Sequence, residues 1–196
     1  MSGSVGILVR LSLLSGAAIV AACGGAGDAG RVEPVYDGAT GRLQLLKYDA
    51  NGDTRTDTWS YMDGTRVLRV EIDRDGDARV DRWEYYDANQ RLEKVGSSRL
   101  NDGTPDAWAY YDESRAIARL ELSQKRNGTV DRIEYYQNAV LTRADEDANA
   151  DGRIDKWESY ENGRLVSVAF DTQNRGTPDR RLVYGPDGNA RLEVVR

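Results

Sequence analysis

Short segments in which apolar and polar positions alternate recur along most of the chain. In VDRWEYYD, at 80–87, Trp83 and Tyr85 fall on one face of an extended strand. The opposite face takes Arg82, Glu84 and Tyr86. The segments that follow such stretches are rich in β-branched residues, as in VLRVEI at 67–72. The dipeptides between paired segments favour positive φ: Asp63-Gly64, Asn162-Gly163 and Asp187-Gly188. This pattern predicts β-hairpins.

A repeat of about 25 residues sets the spacing of these hairpins. Tyrosines recur at a nearly constant interval: Tyr36, Tyr61, Tyr86, Tyr111, Tyr136, Tyr160 and Tyr184. Aspartates keep nearly the same spacing: Asp57, Asp81, Asp106, Asp131, Asp155 and Asp179. Two positions after each aspartate come Trp59, Trp83, Trp108, Ile133, Trp157 and, as the exception, Arg181. Six copies, preceded by a half copy at 35–46, predict a single domain over 35–196.

About twelve short strands, two per unit, predict an all-β fold of tandem antiparallel hairpins in a meander or a curled, solenoid-like sheet. The segment at 107–122 would pass as a helix on its own, but the other copies predict strands there. Four tryptophans hold equivalent positions and are expected to stack as a ladder along one face: Trp59, Trp83, Trp108 and Trp157. Such a ladder serves either as core packing or as an aromatic platform for sugars or peptides.

The composition excludes most familiar enzyme mechanisms. The 196 residues include no histidine and one cysteine, which removes Ser-His-Asp and Cys-His catalysis, His-ligated zinc and any internal disulfide. Lys and Arg number 27 against 33 Asp and Glu, and the formal charge of −6 argues against nucleic-acid binding. The acidic residues follow the repeat, so no single carboxylate pair stands apart as the acid and base of a hydrolase. The sequence therefore favours a protein that is not an enzyme.

The N-terminal segment, 1–22, is predicted to be a signal peptide. Arg10 is the only charge before an apolar stretch, 11–22, that is too short to span a bilayer. This stretch leads into Val20-Ala21-Ala22-Cys23, which resembles the lipobox of bacterial lipoproteins. The resemblance implies cleavage before Cys23, lipidation of its thiol and, because Gly24 and not Asp follows, the outer rather than the inner membrane. The alternative is an ordinary secretory leader that leaves Cys23 as an idle thiol.

Loss of the leader would leave a mature chain over 23–196. Arg10 is the one charged side chain that would be removed, so the formal charge would change from −6 to −7. The lipidated cysteine and the residues after it, 23–34, are predicted to form a flexible tether, because GGAGDAGR at 24–31 consists mainly of small residues. Several acyl chains would hold such a protein stably on a membrane.

The loops between units carry oxygen-rich side chains of the kind that hard cations prefer. The fifth loop, 147–158, matches the twelve-position calcium loop most fully, with a backbone carbonyl from Arg153 and a closing carboxylate from Glu158. Its predicted ligands are Asp147, Asn149, Asp151, Arg153, Asp155 and Glu158. The second loop has Ala78 in place of glycine and offers Asp73, Asp75, Asp77, Asp81 and Glu84. The first loop, expected to bind least well, offers Asp49, Asn51, Asp53 and Asp57.

These loops resemble the calcium loops of EF-hand, dockerin-type and thrombospondin-type proteins, and the Y-D-x-x-x-R-L hairpins look like the YD repeats of Rhs-type bacterial surface proteins. Helices flank an EF-hand loop, so flanking strands would turn Glu158 and Glu84 away from the metal. Three occupied sites would add +6 to the charge of −7 and leave about −1, relieving self-repulsion. The alternative is that Asp, Asn and Gly gather in these loops for backbone reasons alone.

Together these features predict a calcium-stabilised, lipid-anchored repeat protein of the bacterial envelope, acting as a spacer or as an interaction surface for an envelope protein or polysaccharide. The second hypothesis is a carbohydrate- or peptidoglycan-binding module that uses the Trp and Tyr ladder. A carboxylate-pair hydrolase is the third.

Overall fold

The computed structural model describes residues 30–195, which form one antiparallel sheet of fourteen strands in chain order. The strands are β1 (Arg31–Tyr36), β2 (Leu43–Asp49), β3 (Thr58–Asp63), β4 (Arg66–Ile72), β5 (Arg82–Tyr86), β6 (Leu92–Ser97), β7 (Ala107–Tyr111), β8 (Ile117–Leu122), β9 (Arg132–Gln137), β10 (Val140–Glu146), β11 (Lys156–Glu161), β12 (Arg164–Phe170), β13 (Arg180–Tyr184) and β14 (Ala190–Val194). The predicted all-β meander of tandem hairpins is confirmed. The segment with helical character, 107–122, forms β7 and β8.

The sheet begins earlier than the repeat pattern indicates. The predicted half copy is a complete hairpin, because β1 pairs with β2 from Arg31 onwards. Residues 31–34, which were expected to belong to the tether, are therefore part of a strand. Pro34 argues against a strand here in the sequence, because proline is rare inside sheets. It is tolerated because β1 is an edge strand with one unpaired side.

The antiparallel order places two kinds of connection at opposite ends of the strands. Tight turns within each hairpin lie at one end, and the acidic loops between hairpins lie at the other. The turn residues have the expected left-handed conformations, as at Asn162 and Gly163, with φ of 51° and 76°. A register shift lies near the turn in the first six hairpins. Glu84 and Tyr86, two positions apart on β5, share one face, and the Tyr86 hydroxyl donates to Glu84.

One face of the sheet, which we call the ladder face, carries two rows of side chains that run across the strands. The first row is Glu33, Lys47, Trp59, Glu71, Trp83, Gly96, Trp108, Glu121, Ile133, Asp145, Trp157, Ala169, Arg181 and Glu193. The second row, from β3 onwards, is Tyr61, Arg69, Tyr85, Lys94, Tyr110, Arg119, Tyr135, Arg143, Ser159, Ser167, Val183 and Arg191. We call the opposite face the ionic face.

Tyr61 does not belong with the other tyrosines of the repeat series. It pairs with Arg69 in the second row of the ladder face, where Tyr85 stands in the next unit. Met62 takes the place on the ionic face that Tyr86 holds in β5. Tyr85, not Tyr86, is therefore the structural equivalent of Tyr61. A difference of one position along a strand moves a side chain to the other face of the sheet.

The sheet is a single layer within residues 30–195, because only consecutive strands contact each other. Few apolar side chains are buried within residues 30–195: Val95, Ala107, Ala144, Val168 and Ala169. Each hairpin is therefore stabilised mainly by its neighbours, as in other repeat proteins. Residues 30–195 contain no helix with the length and apolar character needed to cross a membrane.

Candidate functional site

The six acidic loops share one internal hydrogen-bond pattern. They run over 49–57, 73–81, 98–106, 123–131, 147–155 and 171–179, and each ends in the aspartate that the repeat marks. In every loop this ninth-position carboxylate accepts a hydrogen bond from the backbone N–H of the second residue, at 2.8 Å between Asp131 and Gln124. The aspartate is therefore first of all a clamp that closes its loop.

The first residue of each loop has a similar role. The carboxylate of Asp73 accepts hydrogen bonds from the N–H groups of Gly76 and Ala78, both at 2.8 Å, and Asp49 and Asp147 make the same pair of bonds in their loops. Ala78 has a φ of 71°, at the position where the calcium-loop pattern expects glycine. Most first- and ninth-position side chains are buried: Asp49, Asp57, Asp73, Asp106, Ser123, Asp131, Asp147, Asp171 and Asp179. The protein's own hydrogen bonds thus account for the repeat of aspartates.

Hydrogen bonds also join each loop to the next. The N–H of Asp147 donates to the carbonyl of Asp131 at 2.8 Å, and the same link recurs between the other neighbouring loops. In the middle of the array two basic side chains strengthen these links. The guanidinium of Arg99 binds the Asp106 carboxylate at 2.9 Å and the carbonyl of Ser123 at 2.8 Å. The ammonium of Lys125 lies 3.3 Å from the carbonyl of Asp147.

One loop brings three carboxylates together. Ligand oxygens of Asp73, Asp75 and Asp81 lie within 4.8 Å of one another, and no other such group of three occurs in residues 30–195. Carboxylate oxygens are the ligands that Ca²⁺ prefers, so this donor set fits the ion. Asp77 is not part of the group. Its carboxylate accepts hydrogen bonds from the backbone N–H of Arg79 and from the side-chain amide of Asn101, which also donates to Asp75.

The fifth loop, which the sequence favours most, is not gathered in this way. Asp147 and Asp155 bind backbone N–H groups, and Asp151 accepts hydrogen bonds from Arg153, Asn149 and Asn174. In the first loop, Asp49 and Asp57 likewise bind backbone N–H groups, and Asn51 and Asp53 bind each other. Of the three predicted calcium loops, only the second brings three carboxylates within 4.8 Å of one another in residues 30–195.

The two glutamates that were predicted to close calcium shells lie elsewhere. Glu158 accepts hydrogen bonds from Arg132 at 2.8 Å and Tyr160 at 2.7 Å, and Lys156 lies 2.8 Å away. Glu84 binds Arg82 and Tyr86 in the same manner. Because strands flank the loops, alternation directs the twelfth position to the ionic face and away from the loop centre. Glu84 and Glu158 are therefore corrected from metal ligands to members of ion pairs.

Arg132 is the centre of the largest ionic cluster. Its guanidinium lies within 2.9 Å of three carboxylates, from Glu134, Glu146 and Glu158, while Lys156 bridges the last two. Burial alone would raise the pKa of Glu158, but hydrogen bonds from Arg132, Lys156 and Tyr160 outweigh it and lower that pKa from 4.5 to about 2. The sequence signal for this cluster is a basic residue after the loop aspartate, followed by Glu and Tyr at alternate positions.

Basic side chains cover the tyrosine rings of the ladder face. Arg69 and Arg119 each lie 4.0 Å from the ring centre of the neighbouring tyrosine, Tyr61 or Tyr110. Lys94 lies 4.6 Å from the centre of the Tyr85 ring, and Arg143 lies over Tyr135 at 5.4 Å. These cation–π contacts occupy ring faces that a ligand would need. The tyrosines of β3 to β9 therefore stabilise the sheet and are not free for stacking.

The four tryptophans hold equivalent places but do not stack on one another. Each is partly buried. One strand separates Trp59 from Trp83 and Trp83 from Trp108, and three strands separate Trp108 from Trp157. The only ring-to-ring contact in the described part of the chain joins Tyr85 and Trp108, whose centres are 5.9 Å apart. Trp108 lies across Gly96, where an alanine Cβ would be 2.7 Å from the indole. The expected continuous ladder is thus a row of separate rings.

Cys23 and the rest of the predicted leader lie outside the described residues. No family model and no curated protein matches the chain. A distantly similar solved structure is that of accessory secretory protein 1, 2 and 3 in Streptococcus pneumoniae, with 10% identity and a TM-score of 0.27. The match covers 75% of this chain and 20% of that one, so this chain spans about a fifth of its length. Similarity at this level carries no conclusion about fold or function.

Proposed function

We propose that this protein is a non-catalytic, lipid-anchored repeat protein of the bacterial envelope that acts as a spacer and offers its sheet as an interaction surface. The observation that carries this proposal is the open single layer, in which both faces of a fourteen-stranded sheet lack a covering layer within residues 30–195. Thirteen strand-to-strand steps of roughly 4.8 Å span about 60 Å. Such a sheet offers far more surface than one small ligand needs.

A lipid anchor on Cys23 would orient the sheet relative to the membrane. Cys23 precedes the first strand residue, Arg31, by eight positions, so a lipid on its thiol would hold β1 close to the membrane. The strands then follow in chain order, and β14 lies farthest from the anchor. Each buried acyl CH₂ contributes about 0.8 kcal/mol, so several acyl chains give stable attachment.

Calcium is the proposed ion of the second acidic loop. Asp73, Asp75 and Asp81 would hold it through carboxylate oxygens, and the ion would offset the repulsion among three negative charges. Internal hydrogen bonds already close this loop, so we propose that calcium adjusts stability rather than creating the fold. Extracellular modules bind calcium at about 10⁻⁴ to 10⁻³ M, a range that suits this role.

The anchoring proposal is tested in a Gram-negative host that expresses the full chain in the presence of labelled palmitate. We expect the label on the protein and the protein in the membrane fraction, mainly the outer membrane. The matched variant, Cys23→Ala, should lose the label and leave the membrane fraction. An unlabelled wild-type protein, or a variant that stays with the membrane, would contradict the proposal.

Carbohydrate binding is the second candidate function. It is favoured by a depression on the ladder face beside Trp157, where Ser159 and Ser167 stand in place of the tyrosine and the basic residue of the second row.

A further inference from the structure

The two rows of the ladder face change character at β11 and β12. From β3 to β10 the tyrosine position holds Tyr61, Tyr85, Tyr110 and Tyr135, and the cation position holds Arg69, Lys94, Arg119 and Arg143. In the next hairpin these positions are Ser159 and Ser167, which pair with each other. Beside them, Ala169 stands where Glu71, Glu121 and Asp145 stand in other units. Small side chains thus replace large ones at three adjacent positions.

These replacements open a depression of about 390 Å³. Ser159, Ser167 and Ala169 contribute its floor, while Trp157, Arg143 and Arg181 stand around it. Ligand pockets in proteins measure roughly 300–1,000 Å³, so the depression is large enough for one small ring. A second depression, of about 460 Å³, lies beside Lys47 and Trp59, but Asp57 and Asp73 line that one. A shallow depression suits one unit of a longer chain that lies across the sheet.

Two arginines line the depression, and one of them has no acidic partner in the described part of the chain. Arg181 is the residue that breaks the tryptophan rule, and it makes no ion pair within residues 30–195. Glu193 lies opposite it in the register, but that carboxylate pairs with Arg191. Arg143 is paired with Asp145 at 2.7 Å and keeps 55% of its side chain exposed.

Glu158 also borders the depression, but its carboxylate is held on the ionic face by Arg132 and Lys156. Arg181 is therefore the lining cation that has no carboxylate partner within residues 30–195, since Asp145, which lies opposite Trp157 in the register, pairs with Arg143.

This combination of groups fits a carboxylated sugar. A Trp side chain offers an apolar face to a sugar ring, serine hydroxyls both donate and accept hydrogen bonds, and guanidinium groups bind carboxylates with good geometry. We infer that the depression beside Trp157 binds a carboxylated sugar unit of an acidic polysaccharide. The inference rests on the proposed role of the sheet as an interaction surface. A simple inorganic anion would make no apolar contact with the indole, and a neutral sugar would form no ion pair with Arg181.

The test is calorimetric titration of the full chain in detergent with a β-linked tetrasaccharide of alternating glucuronic acid and N-acetylglucosamine. Chitotetraose is the neutral probe, and sodium sulfate is the inorganic one. We expect the acidic tetrasaccharide to bind at least about tenfold more tightly than either of the other two, a difference of about 1.4 kcal/mol. Equal binding of chitotetraose would overturn the role of the carboxylate, and equal binding of sulfate would overturn the role of the sugar.

Two variants locate the binding. Ser159→Tyr restores the residue that other units carry, so it should fold normally and fill the depression, and Arg181→Gln removes the unpaired charge. Each should weaken binding of the acidic tetrasaccharide at least about tenfold. Arg115→Gln, which removes an exposed cation in the turn between β7 and β8, should leave binding unaltered. Undiminished binding by Ser159→Tyr would overturn the site, whereas the anchoring result with Cys23→Ala is independent of both outcomes.

Discussion

Arg132 on β9 and Glu158 on β11 form an ion pair at 2.8 Å across the intervening strand β10. Two further carboxylates contact the same guanidinium, so Arg132→Met would leave three acidic side chains of the ionic face without their shared partner. We expect a loss of about 3 kcal/mol in the free energy of unfolding. Urea denaturation followed by far-ultraviolet circular dichroism measures it.

The matched change for this prediction is Arg82→Met. Arg82 occupies the equivalent position on β5 but pairs with a single carboxylate, that of Glu84. It should therefore cost less than Arg132→Met. Equal losses in the free energy of unfolding would mean that the two additional carboxylates around Arg132 do not add to stability.

Acid should weaken the sheet through Glu158. Its pKa is lowered in the folded protein from 4.5 to about 2, so the unfolded state takes up a proton first as the pH falls. The stabilisation is complete above about pH 4.5 and disappears as the pH falls towards 2, and its size is about 3 kcal/mol. Urea unfolding between pH 7 and pH 2.5 measures the slope. In Glu158→Gln this part of the pH dependence should be absent, and an unchanged slope would refute the assignment.

The loop clamps predict a second class of destabilising change. Asp131 is 5% exposed and accepts hydrogen bonds from the N–H groups of Gln124 and Lys125. Asp131→Ala would leave both donors without that partner, at a cost of about 2 kcal/mol or more. Glu113→Ala, in an exposed turn, should change stability by less than about 0.5 kcal/mol. Thermal unfolding compares the two, and a small effect of Asp131→Ala would show that water replaces the clamp.

The second loop should carry most of any response to calcium. When free calcium exceeds Kd about tenfold, the stability gain is about 1.4 kcal/mol, and Tm should rise by about 3–5 °C relative to excess EDTA. Asp75→Asn removes one of the three gathered carboxylates, so it should abolish most of that rise. Asp151→Asn in the fifth loop should leave the rise largely intact. The reverse order would restore the ranking that the sequence favours, and equal Tm values with calcium and EDTA would exclude a stabilising ion.

Gly96 is needed because Trp108 lies across it. Gly96→Ala would place a Cβ 2.7 Å from the indole ring, so the tryptophan must move away from Tyr85 and Lys94. We expect a loss of about 1–3 kcal/mol in the free energy of unfolding and a changed near-ultraviolet circular dichroism spectrum. Gly38→Ala is the control, since no atom lies within 4 Å of the added Cβ. An unchanged spectrum in Gly96→Ala would contradict this packing.

The hairpins were predictable because their signals are local. Alternation, Asn-Gly and Asp-Gly turns and the spacing of aspartates each act over a short stretch of chain, and the repeat presents them many times. Because the other repeat copies carry clear strand signals, 107–122 was predicted correctly as two strands despite its helical character. Pro34 shows the limit, since an edge strand with an unusual residue has no other copy to support it.

The site was less predictable because its contacts join residues from different units. Arg132 and Glu158 are 26 positions apart, and only the lateral register of β9, β10 and β11 brings them together. The calcium-loop pattern counted Glu158 as a ligand because it describes loops flanked by helices, whereas a flanking strand turns that side chain to the ionic face. The ranking placed the fifth loop above the second because a ligand count contains no distances, whereas in residues 30–195 only Asp73, Asp75 and Asp81 lie within 4.8 Å of one another.

Contacts between consecutive strands alone also make the length of this protein easy to change in evolution. Each repeat unit contributes two strands. It joins the next unit through the backbone hydrogen bonds of paired strands and through one hydrogen bond between loops, such as that from the N–H of Asp147 to the carbonyl of Asp131. Duplication or loss of such a unit leaves no hole in a shared interior, because there is no such interior within residues 30–195. Each event changes the reach of the sheet by about 10 Å. Related genes that differ by whole units are therefore expected to encode folded proteins of different reach.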